Sequence, residues 1–233
     1  MFALPDSVPV LTTGPLADTA QLRREQAATL ATPRRRYGAV ARLLFGALDA
    51  VFGRRGSLAK FKALEVVARS AYQAWESAAY LIVTRERGAP QLARRTFAFV
   101  REARAQQDAE SWHLFLLAEL VERRGEPESL LRHRLLPRAL AWAYYHLTLT
   151  LLALDPALSY RLNADFEDHA EHEYMDFVAA HPELESEPFV SDFAAEYGSF
   201  ASVADLIRSF AVDERRHKDE SLAFSRVEPP VGA

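Results

Sequence analysis

The stretch that decides the fold is residues 91–124, QLARRTFAFVREARAQQDAESWHLFLLAELVERR. It holds no proline and no glycine, and its apolar residues recur at helical spacing. Gly88-Ala89-Pro90 precedes it, and Gly125 and Pro127 follow, which are stop signals at both ends. A helix of this length far exceeds the globular mean of about 11–12 residues. Long helices of this kind bury their apolar stripe against one another in a bundle. The same reading extends outward. Helices are predicted over 38–52, ending at Gly53 and Gly56; over 58–87; over 137–154, closed by Asp155-Pro156; over 156–181, with Pro156 in its first turn; and over 202–225. A short helix is predicted over 190–197. Strand signals are missing. The expectation is therefore an all-α protein, a four-helix bundle with two additional helices flanking it. The four long helices (the second, third, fifth and sixth) form its core.

Composition narrows the chemistry. The chain has 233 residues and no cysteine, which removes disulfides, thiol catalysis and cysteine-ligated metal centres. Lys and Arg number 28 against 32 Asp and Glu, for a net charge of −4, which argues against a nucleic-acid binder. Nine glycines are few for a phosphate-cradling loop, and 49% hydrophobic residues suffice for a core. Pro5, Pro9, Pro15 and Pro33 punctuate the start, so residues 1–36 are read as an extended arm and not a signal peptide. The bundle domain then covers 37–226, and 227–233 is a C-terminal tail.

Two Glu-x-x-His triplets occur, Glu110-Ser111-Trp112-His113 and Glu214-Arg215-Arg216-His217, each midway along a long helix. At 100° per residue, positions i and i+3 share a face, so one carboxylate and one imidazole can meet one metal ion. Glu65, in Leu64-Glu65-Val66-Val67-Ala68, and Glu167, in Phe166-Glu167-Asp168-His169-Ala170, lie on the other two long helices. Glu65 has apolar neighbours on both sides, an expensive place for a lone carboxylate. A single Glu-x-x-His is ordinarily a solvated helix face, and Glu65 alone could pair with an arginine. The ordered set, with one element per helix, is the ligand set of di-iron and di-manganese carboxylate bundles. Four carboxylates and two imidazoles suit two iron(II) ions.

These residues resemble the alternative oxidases and the related plastid terminal oxidases, as a divergent member. Beside Leu64–Ala68 and Glu110–His113, the resemblance rests on Phe166-Glu167-Asp168-His169-Ala170-Glu171-His172-Glu173-Tyr174 and Val212-Asp213-Glu214-Arg215-Arg216-His217-Lys218-Asp219. It implies Glu65, Glu110, His113, Glu167, Glu214 and His217 as iron ligands and Tyr174 as the tyrosine of oxygen chemistry. It further implies quinol oxidation coupled to four-electron reduction of O2 to water, without proton pumping. The quinol pocket of the family maps onto Lys60, Leu64, His169, Ala170 and Glu173. Lys60 stands where the family has arginine, and His169 and Glu173 also depart from its pattern. An O2-dependent oxygenase or desaturase acting on another small organic substrate is therefore the alternative, and an iron-storage or structural bundle a third reading. Asp213 and Asp219 are candidates for bonds behind the ligands, or for surface charges.

The resemblance also implies a homodimer and attachment to one leaflet, on the cytoplasmic side, through the first and fourth helices. The fourth, 139–154, carries no charge, and Trp142, Tyr144 and Tyr145 suit an interface. Arg132, Arg134 and Arg138 precede or open it, a cluster that favours anionic lipid. A soluble cytoplasmic protein that buries this face in a dimer is the alternative.

Overall fold

The computed structural model describes residues 17–85 and 90–226. Among them are seven α-helices and no strand: α1 (Thr19–Ala31), α2 (Ala39–Phe52), α3 (Leu58–Arg85), α4 (Pro90–Arg123), α5 (Leu136–Leu154), α6 (Pro156–Ala180) and α7 (Val203–Phe224). The first sixteen residues of the arm, the tail 227–233 and the expected end of the second helix at 86–87 lie outside the described residues. α3 packs along α4, and α6 along α7. α5 lies against α3 and α6, α1 against α6 and α7, and α2 touches α6.

Local chemistry sets the ends. Asp155 accepts from the Ala157 backbone N–H at 3.0 Å while Pro156 opens α6, so the missing proline N–H costs nothing there. Ser202 caps α7 by accepting from Asp205 N–H at 3.2 Å. α4 ends in paired reversed bonds, Glu126 N–H to Val121 O at 3.1 Å and Gly125 N–H to Glu122 O at 3.0 Å. Gly125 has φ +62°, a conformation that only glycine adopts cheaply.

Three expectations change. Residues 19–31 of the arm are helical, not extended, because the prolines spare 16–32 and the Asp18 carboxylate caps the helix through Gln21 N–H at 2.6 Å. Helix α5 is preceded by a π-helical turn, Leu131–Leu135, where the sequence predicts a start at Pro137. The wider turn, with Leu136 N–H bonded back to Leu131 O, accommodates a proline that can donate no bond of its own. The short helix expected at 190–197 is a run of turns over 192–197, and the nearest helical piece is the 3-10 turn Pro182–Glu185.

The core follows the helical stripes. Leu64, Val67 and Ala71 of α3, Leu116 and Leu117 of α4, Phe166 and Ala170 of α6, and Ile207 and Phe210 of α7 form one buried cluster. A second surrounds Tyr72, Trp75, Phe99, Tyr160 and Phe224. Phe61 is wholly buried, with ring centroids 4.5 Å from Tyr174 and 5.2 Å from Phe177. Phe61→Ala is expected to destabilise the protein by about 3–5 kcal/mol, read as a lower urea midpoint at unchanged slope. Wild-type stability in that variant would show that the site collapses around the void.

Candidate metal centre

Each of the four long helices delivers its candidate ligand to one place. Glu65 from α3, Glu110 and His113 from α4, Glu167 from α6, and Glu214 and His217 from α7 are all at most 2% exposed. Their donor atoms form two overlapping groups, Glu65–Glu110–His113–Glu214 and Glu110–Glu167–Glu214–His217. In each group one atom per residue lies within 4.8 Å of all the others. Glu110 and Glu214 belong to both groups. His113 Nδ1 is 3.1 Å from Glu214 Oε1 and 3.5 Å from Glu65 Oε2. His217 Nδ1 is 2.9 Å from Glu110 Oε1 and 3.4 Å from Glu214 Oε2.

The atoms left without hydrogen bonds tell the same story. Both oxygens of Glu110 and both of Glu214 are buried and unpartnered, as are Glu65 Oε2, Glu167 Oε2, His113 Nδ1 and His217 Nδ1. Buried polar atoms are normally satisfied. Here the unsatisfied ones converge, and both imidazoles turn the same nitrogen inward. The remaining atoms of the outer ligands are held. Tyr174 donates its hydroxyl to Glu65 Oε1. Tyr72 donates to Glu167 Oε1 at 2.6 Å, and the Asn163 amide reaches the same oxygen at 3.0 Å. His113 Nε2 lies 3.3 Å from Asp213 Oδ2, to which Tyr197 also donates, while Arg216 pairs with Asp213 Oδ1. That is how a ligating imidazole is fixed in tautomer and orientation. The donor set thus fits metal ions, and the shared carboxylates fit two of them.

Burial, with Glu214, Glu65 and Glu167 facing it, holds the Glu110 carboxyl well above the usual carboxylate range. Burial and Glu214 raise Glu167 likewise, against the opposing hydrogen bond from Tyr72. Glu214 goes the other way. Burial would raise it, but the adjacent His113 and His217 rings hold it well below the ordinary value. For His113, burial favours the neutral ring, yet Glu65, Asp213 and Glu214 outweigh it and raise the imidazole well above its usual range.

The other expected site residues are placed as follows. Tyr174 is buried at the centre, against Phe61 and Phe210. Asp213 lies behind His113. Asp219 is exposed, because two residues beyond His217 is the opposite side of α7. Lys60, Glu173 and His169 gather at one edge of the bundle. Lys60 is fully buried and donates to Asp49 at 2.9 Å, to Gly53 O at 3.2 Å and to Glu173 at 3.5 Å. Arg34 reaches Glu173 at 3.1 Å and His169 Nδ1 at 3.3 Å. His169 stacks on Phe45 at 4.0 Å, and burial together with Arg34 and Lys60 pushes its pKa down to about 3. The neutral ring therefore accepts at Nδ1 from Arg34. Leu64 and Ala170 are buried in the neighbouring apolar cluster.

Sequence reading missed Tyr72, Asn163 and Tyr197. Tyr72 was findable, since it follows Glu65 by the same seven residues that separate Tyr174 from Glu167. Tyr144, expected at an interface, is instead buried and stacks on Phe166 at 5.4 Å. No described helix is long and apolar enough to cross a membrane. No protein-family model, curated protein or solved structure matches the chain.

Proposed function

We propose that this protein is a ferritin-like di-iron oxidase of the alternative oxidase kind, taking electrons from a quinol and passing them to O2 to form water. The observation that carries the reading is the convergence of unpartnered buried donor atoms on six residues of four helices. Glu65, Glu110, His113 and Glu214 would hold one ion, and Glu110, Glu167, Glu214 and His217 another. Carboxylate and imidazole donors with open positions suit iron(II). When bound, such a pair supplies the O2-binding site and the electron exchange that no side chain offers.

The chain supplies everything else. Asp213 keeps the His113 ring turned inward. The Tyr174 and Tyr72 hydroxyls each tie down one oxygen of a terminal carboxylate and leave the other free. Glu65 Oε1 can take the Tyr174 phenolic proton when that ring gives up an electron. Phe61 and Phe210 pack against Tyr174, and Phe210 against His113, which keeps water from this side of the centre.

The test is reconstitution with iron(II) under anaerobic conditions, followed by O2 uptake with ubiquinol and menaquinol analogues. Two irons per chain and quinol-dependent uptake are expected. Absence of bound iron would sink the reading. Iron and O2 uptake without quinol turnover would move the assignment to an oxygenase or desaturase acting on another small organic molecule. One observation favours that second reading: Lys60 and Glu173 are engaged by Asp49, Gly53 and Arg34 and not left open for a ligand.

We place the protein on one leaflet at the cytoplasmic side, as a homodimer. Val40 and Leu43 of α2, Leu135 before α5, and Trp142 and Leu154 of α5 are exposed, beside the exposed Arg132, Arg134 and Arg138. Leu43→Ser with Trp142→Ser is expected to abolish flotation with anionic vesicles. Flotation unchanged by these substitutions, or a soluble dimer that dissociates on making them, would refute the leaflet.

A further inference from the structure

Tyr174 has a counterpart. Tyr72 follows Glu65 by seven residues on α3, as Tyr174 follows Glu167 on α6. The two hydroxyls bond crosswise: Tyr174 to Glu65, and Tyr72 to Glu167. Both rings are buried. Tyr72 stands edge-on to the His217 ring at 5.6 Å, and its oxygen lies 3.0 Å from the Asn163 amide. Each tyrosine therefore meets the two requirements of a proton-coupled electron donor. It lies one hydrogen bond from a metal ligand, and it has a carboxylate oxygen aimed at its proton.

We propose that Tyr72 is a second redox-active tyrosine, which supplies one electron to O2 chemistry at the centre and passes its phenolic proton to Glu167 Oε1. The inference rests on the di-iron reading above. Reduction of O2 to two waters takes four electrons and four protons. Two electrons are available from a metal pair in which each ion loses one. Tyr174 and Tyr72 furnish the other two, each ring becoming a neutral tyrosyl radical as its O–H bond breaks. The two phenolic protons pass to Glu65 and Glu167 and from them to the reduced oxygen, and the remaining two come from solvent. O2 is the oxidant throughout. The organic reductant is then needed only afterwards, to return electrons and protons to the two rings and the metals. The arrangement lets one O2 be fully reduced without a reductant already in place.

Surroundings agree with a radical that stays on Tyr72. The wholly buried ring makes a lasting cation costly, and the Glu167 oxygen 2.6 Å away takes the proton as the electron leaves. The next aromatic outward is Trp75, 5.3 Å away. Its indole N–H is held by the Ser159 hydroxyl at 2.9 Å, which is no base, so oxidation there would leave a buried cation. Beyond it the Tyr160 hydroxyl is buried without an acceptor. The path therefore stops at Tyr72.

The experiment uses full-length protein carrying ring-deuterated tyrosine, loaded with iron(II), mixed with O2 in the absence of any organic reductant and freeze-quenched for electron paramagnetic resonance. Iron content is measured on the same samples. Wild type is expected to show two tyrosyl spins per chain, narrowed by the deuteration. Tyr72→Phe and Tyr174→Phe should each lose one and keep the other, and Phe preserves the packing of both rings. A Tyr72→Phe spectrum identical to wild type overturns the proposal, as does a wild-type signal confined to Tyr174 or oxidation products on Trp75 by peptide mass spectrometry. A purely positioning Tyr72 would alter iron retention without altering the radical count, and that result also overturns it. Failure to bind iron or consume O2 sinks the di-iron reading itself, and is distinguished by the iron assay.

Discussion

Glu214→Ala is expected to disable both candidate metal sites at once, because Glu214 belongs to both groups of donors. The loss in affinity should exceed the ~10–100-fold typical of removing a partner behind a ligand. Glu110→Gln should empty the centre as well, since Glu110 is the other shared carboxylate. The two variants part company in the metal-free protein. Glu214 lies between His113 and His217, at 3.1 Å and 3.4 Å. Deleting it removes a carboxylate that faces both buried imidazoles, leaving Glu65 and Asp213 to His113 and Glu110 to His217, and is expected to lower stability by less than the ~3–5 kcal/mol of a buried pair broken outright. Glu110 faces His217 alone, at 2.9 Å, and a Gln oxygen can still face that ring. Its carboxyl is raised by burial and by three neighbouring carboxylates, so Glu110→Gln should be neutral or stabilising. Metal content and urea unfolding of the two variants test the assignment together. Two variants that keep their metal, or that lose the same stability without it, would refute the division of roles.

The second large effect is the pH dependence of the metal-free protein. Glu110 and Glu167 have folded pKa values raised above the ordinary 4.5. Their stabilisation is fully present below about 4.5 and is lost as pH rises through the folded values. His113 adds the same sign from its ordinary 6.5 upward. Glu214 and Asp213 oppose it on the acid side. Their pKa values are depressed, so their contribution is present above 4.5 and 3.8 and lost as pH falls through the folded values. The metal-free protein should therefore be most stable in mild acid and weaken toward alkaline pH. Bound metal reverses the slope, because ligation needs the deprotonated carboxylates and releases protons. Chemical denaturation from pH 5 to 8, with and without iron(II), checks both signs. Stability of the metal-free protein that climbs steadily over that range would refute the prediction.

How much was legible in the sequence depended on whether the information was local. Helices α3 to α7 were readable to within a few residues because proline, glycine and capping side chains mark their ends in the chain itself. That Glu110 meets His113 and Glu214 meets His217 was readable because helical spacing converts sequence separation into a shared face, whereas Glu65 and Glu167 stood out only through the order of one element per long helix. Helix α1 was not, because its apolar residues form no stripe: only Leu22 and Thr29 are buried, and its hold is polar, through Glu171 to Thr29, Arg215 to Glu25 and Arg208 to Gln26. No hydrophobic stripe announces such a helix. Lys60 was read as a ligand-facing charge, yet its environment depends on Asp49 and Glu173, which only tertiary packing brings to it. Asp219 was misplaced by proximity in sequence, whereas its angular position already turned it to solvent. Tyr72 was overlooked because a tyrosine among apolar neighbours reads as core, and its partner Glu167 is distant in sequence.

The way the two donor groups share residues bears on how the molecule comes into being. The first group takes three residues from the α3–α4 pair and Glu214 from α7; the second takes three from the α6–α7 pair and Glu110 from α4. Neither half of the chain, emerging from the ribosome, can complete a cage alone. A metal ion held by either complete group could be captured only once the last helix has docked. A nascent or truncated chain that lacks α7 offers at most three of the four donors of either group.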